Sequence, residues 1–492
     1  MKQVTRGRTS AMLNDVRSIT LASFAGALAL AALYVPATVP PPAAVAILGV
    51  FIVLSTWQPV VVLGLTAATL PLYHQPVEIG ASTLAPSELL LAALVFGTLV
   101  GLSGAGLERH SLRAGGATSV AGLRRLNTPF GRTALGALGL LSVLALALLA
   151  GVAETDARSA GLRELRWTLV EPLLFVGLLL WHATASRARA YVLGAFVTGG
   201  LCVALWGLAD AVSGGGVSAG GVTRASGLFP HPNAFALFLL RPVAFASAYL
   251  VLRNTRAEVP WLACGLGVAA LVASFSRSAA LGLVVGLILL WPWLSARLRV
   301  LLGVGAGTLS LALIVLAGDR AVGGSGQDSL ALRADIWQAG LAMIRDRPVL
   351  GYGPDQFLYN YSPRYVDPSA WAERFTAHGH NLIVDAWVRV GIIGAVCGVL
   401  ALVFIARAGR ELTQASVQRG IDPLRGAAIV ALVAAGAQGL VDNGYFVHDL
   451  AMSAWLLAWT AFAPPAPDHR RGAHRHESRG HWSSRAGRFP SV

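Results

Sequence analysis

Apolar residues run along this chain in long stretches rather than in the three- and four-residue stitches of a surface helix. About fourteen such runs recur, at approximately 18–36, 43–57, 59–74, 86–104, 133–152, 166–183, 190–212, 233–252, 259–275, 278–294, 300–317, 381–405, 426–441 and 448–464. At 1.5 Å of helix per residue, most of them are long enough to cross a hydrocarbon core of roughly 30 Å. The pattern predicts an all-α, polytopic transmembrane protein of about 12–14 spans. The second and third runs are short and meet at Gln58-Pro59, so they read equally as two spans or as a re-entrant pair, and the parity is the same either way.

The spans divide the chain. Residues 1–17 form an N-terminal tail, 18–317 a first membrane region, 318–380 a long loop, 381–464 the last membrane helices and 465–492 a tail. The first run follows a basic stretch, as a signal peptide would, but no small-residue cleavage site follows it, and it reads as a retained helix. The loop is too long for a simple connection and is near neutral, with six arginines, seven acidic residues and eight aromatics, which predicts a partly helical subdomain. Within it, Leu332, Ile336, Trp337, Leu341 and Ile344 recur at helical spacing on one face, and Pro348 ends the helix. Tyr361, Tyr365 and Trp371 then fall near Arg364 and Arg374. Such a mixture suits sugar rings, and equally suits a membrane interface.

Composition sharpens the membrane reading. The 492 residues are 55% hydrophobic and 13% charged, with a mean hydropathy of +0.63, which excludes a soluble globular enzyme with its usual quarter of charged residues. The net charge of +14 would suggest nucleic acid on a soluble domain, but Lys2 is the only lysine and the arginines alternate with the spans. With the N-terminus in the cytoplasm, 25 of the 38 basic residues fall on cytoplasmic segments. Both termini are therefore expected in the cytoplasm, the loop outside it, and no nucleic acid as partner. Cys202, Cys264 and Cys397 all lie in apolar runs and read as packing residues. The tail, with His469, His474, His476 and His481, reads as a disordered basic segment against lipid headgroups rather than a metal site.

The chemistry concentrates where the runs meet the outer face. His380-Asn381 is followed by nine residues and then by Gly391-Ile392-Ile393-Gly394. Upstream stand Arg224-Ala-Ser-Gly-Leu-Phe-Pro-His-Pro-Asn233, then Ser274-Phe-Ser-Arg277, and then Arg333 to Phe357 with Trp337, Pro348, Gly351 and Gly353; Asp442-Asn443 follows downstream. In this order these segments resemble the O-antigen ligase and O-antigen polymerase superfamily of bacterial envelope glycosyltransferases, over roughly 220–460.

The resemblance implies a C-type membrane glycosyltransferase architecture and a glycan donor carried on undecaprenyl diphosphate. It also implies inverting transfer that uses no metal and no other cofactor, in the cytoplasmic (inner) membrane with the active site on its outer face. Guanidinium groups match phosphate oxygens in a bidentate fork and stabilise charge on a leaving diphosphate, which points to Arg224 and Arg277. A sugar hydroxyl needs a base as it attacks, and His380 suits that role. Arg333, Arg364, Asn233, His378 and Asn381 are further substrate-binding candidates, Asn381 also as a cap or as a partner of His380. Gly391 and Gly394, one turn apart, read as a surface for close helix packing. Arg241 and Arg389 lie deep in spans, where an unpaired charge is costly; Arg389 can pair with Asp385 one turn away, and either can line a phosphate route. The acceptor is lipid A-core for a ligase, another lipid-linked repeat for a polymerase, or a protein hydroxyl for an oligosaccharyltransferase, ranked with ligase first. A lipid-linked oligosaccharide transporter is the reading from another class, and predicts internal repeats that the sequence does not have.

Overall fold

The computed structural model describes residues 2–34, 39–80, 82–103, 148–153, 155, 157–219, 222–297, 299–300, 303, 329–415 and 421–463. Nearly all of the expected span 300–317, most of 133–152, the start of the long loop and the C-terminal tail lie outside them.

Among the described residues the chain is helical, with two short hairpins as its only sheet. The first half comprises α1 (Lys2–Ala32), α2 (Pro41–Trp57), α3 (Pro59–Ala68), α4 (Pro86–Ser103), α5 (Arg158–His182) and α6 (Ser186–Ser213). The second comprises α7 (Pro232–Arg253), α8 (Glu258–Ala273), α9 (Arg277–Leu289), α10 (Ser329–Asp346), α11 (Phe357–Arg364), α12 (Leu382–Ala415), α13 (Pro423–Gly439) and α14 (His448–Phe462). The short second and third runs are two separate helices that turn at Gln58. Five helices, α4, α5, α6, α7 and the greater part of α12, are long and apolar enough to span a membrane, and α2, α3, α8, α9, α13 and part of α1 are shorter apolar helices.

Helix starts follow local chemistry. Proline opens α2, α3, α4, α7 and α13, where its fixed φ fits and its missing N–H costs nothing. Glu88, in the first turn of α4, accepts from the Ala85 N–H at 2.7 Å, half of a capping box.

Helix α7 is the hub, packed against α6, α8, α9, α13 and α14. Its Phe235, Phe238, Leu239 and Leu240 are fully buried, and α13, which packs against it and against α9, buries Ala427, Ala428, Ala431 and Ala434. Small residues there let two backbones approach closely, the main source of association where solvent and side chains are equally apolar. Alternate connections gather at one end of the bundle: the hairpin Val77–Ile79/Ser82–Leu84, the hairpin Val217–Ala219/Val222–Arg224, the turn before α9, the segment between α10 and α12, and the turn between α13 and α14. Arg187, Arg253, Arg256, Arg407, Arg410 and Arg425 fall at the opposite helix ends.

The loop helix α10 buries Ile336, Ala339, Met343 and Ile344, while Leu341 of the expected face is exposed. With Tyr352, Phe357, Tyr361 and Val388 they form a cluster separate from the main core. Tyr361 is thus a core residue stacked on Phe357 and is not open for a sugar ring, whereas Tyr365 is half-buried and tied to Tyr352 and Asp346, and Trp371 is exposed.

Helix α12 is broken at Gly391, whose φ of 66° and ψ of −157° belong to a region open only to glycine. The break frees backbone groups that the turn after α10 takes up. Tyr352 N–H donates to Val388 O at 2.7 Å, Gly353 N–H to Arg389 O at 3.1 Å, and Ile392 N–H to Pro348 O at 3.0 Å. Gly391 therefore admits a docked turn rather than a neighbouring helix, which corrects the packing role expected for the glycine pair. At Gly394 an added Cβ would strike the Ala386 carbonyl of the same chain segment. Replacing Gly391 by Ala is expected to lower stability by ~2 kcal/mol or more, read as thermal unfolding of the purified protein. Gly177→Ala, in an exposed helical position with nothing within 4 Å, is expected to leave it unchanged or slightly raised.

Candidate functional site

A cavity of about 430 Å³ opens at the end of the bundle where these connections gather, lined by Arg224, Asn233, Arg277, Arg333, His378 and His380 together with His74, Asp442 and Asp449. Seven of the eight residues that the sequence nominates are in or beside it. Arg364 is elsewhere, exposed at the end of α11.

Asp442 organises one wall. Its carboxylate is buried in the turn between α13 and α14 and accepts four hydrogen bonds. Oδ1 takes His380 Nδ1 at 3.0 Å and the Asn443 N–H at 2.9 Å, and Oδ2 takes Ser278 Oγ at 3.1 Å and Arg333 at 3.3 Å. Burial alone would raise its pKa, but the His380 hydrogen bond, the charges that His380 and His378 carry at the low pH where the carboxyl titrates, and the Arg333 charge outweigh burial and hold the carboxyl at about 2. A carboxylate only accepts, so His380 carries a proton on Nδ1, and the neutral form of the ring is the tautomer with Nε2 as an acceptor.

The backbone holds His380 as firmly as its ring. Its φ of 47° is left-handed, and its carbonyl accepts from Trp337 Nε1 at 3.2 Å. Asn381 caps α12, accepting from the Ile383 and Val384 N–H groups at 2.9 and 3.1 Å, and its amide donates to Leu440 O at 2.7 Å. His378 stacks edge-on against His380 with centroids 4.3 Å apart, and its buried Nδ1 has no hydrogen-bond partner among the described residues. Burial, and then the neighbouring His380, push its pKa down to about 4, so it stays neutral.

Arg224, which ends the second hairpin, donates to Ser274 O at 2.9 Å and to Asn233 Oδ1 at 3.0 Å, so Asn233 fixes the guanidinium rather than standing alone. Burial and the Arg224 charge depress the pKa of His231 beside it. Arg277 is the first residue of α9, after a tight turn in which Phe275 has a φ of 51°. Arg224, Arg277 and Arg333 thus line the same cavity, a local concentration of positive charge that attracts anions.

Beneath the cavity, Arg389 is an ion-pair centre. It donates to Asp385 Oδ1 at 2.6 Å, to Glu164 Oε1 at 2.8 Å and to Ala377 O at 3.1 Å, while Asp385 accepts from the Gly379 N–H at 2.7 Å. Glu164 also accepts from the Asp355 N–H. Arg389 thus holds the segment Ala377–Gly379 from below, and the second of its two carboxylates comes from α5. Arg241 pairs with no carboxylate among the described residues; it donates to Leu237 O and, at 2.6 Å, to Gly444 O, fastening the Asp442 turn to α7.

His378, His380 and Asp442 each bring one ligand atom within 4.8 Å of the others, the spacing a metal ion would need. Both Asp442 oxygens are already taken by donors, and Arg333 adds positive charge at the same place, so a cation would have to displace these partners.

Sequence reasoning singled out Asp442-Asn443 without giving Asp442 a task, because its partner His380 is 62 positions away. His74 and Asp449 carried no signal at all. With the geometry in place, residues 262–399 match the O-antigen ligase family, a segment that contains Arg277, Arg333, His378, His380 and Asn381 and ends within α12. No curated protein matches the chain.

Removing Arg389 would strand two buried carboxylates. Arg389→Ala is expected to cost about 3–5 kcal/mol, measured as a drop in unfolding temperature. His378 makes a separate prediction about pH. Its folded pKa lies below the unfolded value, so the stability it contributes is complete above about pH 6.5 and is lost as pH falls toward 4. Unfolding temperature is expected to fall over that window, and His378→Gln to flatten the fall.

Proposed function

We propose, from the premise that residues 262–399 are an O-antigen ligase segment of an integral membrane protein, that the chain is a ligase-type glycosyltransferase. It moves a glycan from undecaprenyl diphosphate to an acceptor on the outer face of the cytoplasmic membrane, with both termini in the cytoplasm. The observation that carries this reading is the His380–Asp442 pair in one cavity with Arg224, Arg277 and Arg333. The arginines at the opposite helix ends support the orientation.

An acceptor hydroxyl attacks the anomeric carbon of the donor as His380 Nε2 takes its proton. Asp442 stabilises the imidazolium and holds the ring in the tautomer that can accept. The bond from the anomeric carbon to the diphosphate oxygen breaks on the opposite face, which inverts configuration. Arg224 and Arg277 meet the charge that builds on the leaving diphosphate. Arg333, bound to Asp442, links the base to the anion-binding wall, and His378, kept neutral by burial, adds no repulsion against a protonated His380. The three arginines perform the charge neutralisation that a divalent cation performs in other transferases, so the reaction draws on no metal and no other cofactor.

The acceptor is lipid A-core for a ligase, placed first because of the His-Asn spacing to the glycine pair. A repeat-unit polymerase uses the same step with a second lipid-linked repeat as acceptor, and a protein oligosaccharyltransferase uses a protein hydroxyl.

Replacing His380 by Ala in the native strain is expected to reduce transfer by ~10²–10⁴-fold, the contribution typical of a general base. Surface glycan analysis then identifies the acceptor. Polymer left on the lipid carrier indicates a ligase and single-repeat glycan a polymerase, whereas correctly attached glycan at wild-type level removes His380 from the reaction.

A further inference from the structure

The cavity contains a second histidine–carboxylate pair that the reaction above does not use. Asp449 stands in the first turn of α14, is 1% exposed, and neither of its oxygens receives a hydrogen bond from a described residue. His74, after α3, brings Nε2 to 3.5 Å from Asp449 Oδ2, and its ring lies against Phe229 with centroids 4.6 Å apart. Both residues line the cavity.

Each of the other buried carboxylates among the described residues has at least one oxygen met by a cation or donor: Asp442 accepts four hydrogen bonds, Asp385 and Glu164 pair with Arg389, and Glu171 pairs with Arg166. A buried carboxylate whose two oxygens both lack donors is costly unless something that enters the cavity supplies them. That partner is not phosphate, which carries the same sign of charge and is drawn to Arg224, Arg277 and Arg333. The part of a lipid-linked glycan that is neutral and rich in donors is its sugar. Two oxygens of one carboxylate match two adjacent hydroxyls, in short charge-assisted bonds, and the His74 ring on Phe229 gives the sugar an apolar flank.

We propose that Asp449, steadied by His74, is the donor-sugar subsite: it accepts hydrogen bonds from a vicinal pair of hydroxyls on the sugar joined to the diphosphate. This rests on the glycosyltransferase reading and deepens it. It assigns recognition to two regions of one cavity, with arginines for the carrier's diphosphate and Asp449 for the sugar, and it makes Asp449 a determinant of which glycan is accepted.

The test compares two probes on the purified full-length protein in lipid nanodiscs: undecaprenyl diphosphate alone, and the undecaprenyl-diphosphate-linked glycan extracted from the native strain carrying His380→Ala. Asp449→Asn keeps the shape of the side chain and removes its charge and one acceptor. It is expected to weaken binding of the glycan-bearing lipid about tenfold and to leave undecaprenyl diphosphate unchanged, the latter also showing that the variant is folded. Equal weakening of both probes, or no weakening of either, overturns the subsite while the donor reading stands. Wild-type protein that binds neither probe overturns the donor reading and the subsite with it.

Discussion

A carboxylate buried at the edge of a membrane protein has to be met by donors, and at Asp442 those donors come from three directions in the chain. Ser278 belongs to α9, Arg333 to α10 and His380 to the start of α12, while Asn443 gives its own backbone N–H. Meeting that one charge brings the loop helix α10 over the mouth of the bundle and draws the segment before α12 down to it. The same interaction fixes the tautomer of His380. The fold of the loop and the chemistry of the cavity therefore have a common cause, and the anion-binding arginines are gathered at the same place.

A second charge holds the first in position. Arg389 sits between Asp385 and Glu164, and through Ala377 O and the Asp385–Gly379 contact it sets the height of the segment that leads into His380. This is possible because α12 stops being a helix at Gly391, so that the turn 348–353 can hydrogen-bond to exposed backbone of Val388 and Arg389. Buried ion pairs are weak contributors to net stability but strong determinants of a single arrangement when their loss leaves charges unpaired. Here the arrangement that they select is the one in which a histidine, a carboxylate and three arginines share a cavity.

The membrane helices were legible because each is written in one contiguous stretch. The runs at 86–104 and 233–252 became helices at Pro86–Ser103 and Pro232–Arg253. The candidate site was legible as residue types, since His380, Arg224, Arg277, Arg333 and His378 all line the cavity. What joins them was not, because those contacts are long in sequence. His380 and Asp442 are 62 positions apart, and Arg389 and Glu164 are 225 apart. Helical spacing also cannot tell a glycine that admits a neighbour from one that breaks the helix, so Gly391 read as packing. Tyr361, one of the aromatics that suit a sugar ring or a membrane interface equally, belongs to the loop's own core, because aromatic composition does not say which rings a loop uses there.

In the proposed transfer step the Asp442 carboxylate holds His380 in the tautomer whose Nε2 can take a proton. The direct measurement is the single-turnover rate of glycan transfer by the purified protein as a function of pH, for the wild type and for Asp442→Asn. Asp442→Asn replaces an obligatory acceptor with an amide that can also donate, so the tautomer is no longer fixed and the maximal rate should fall ~10²-fold or more. A maximal rate equal to that of the wild type at every pH would contradict this.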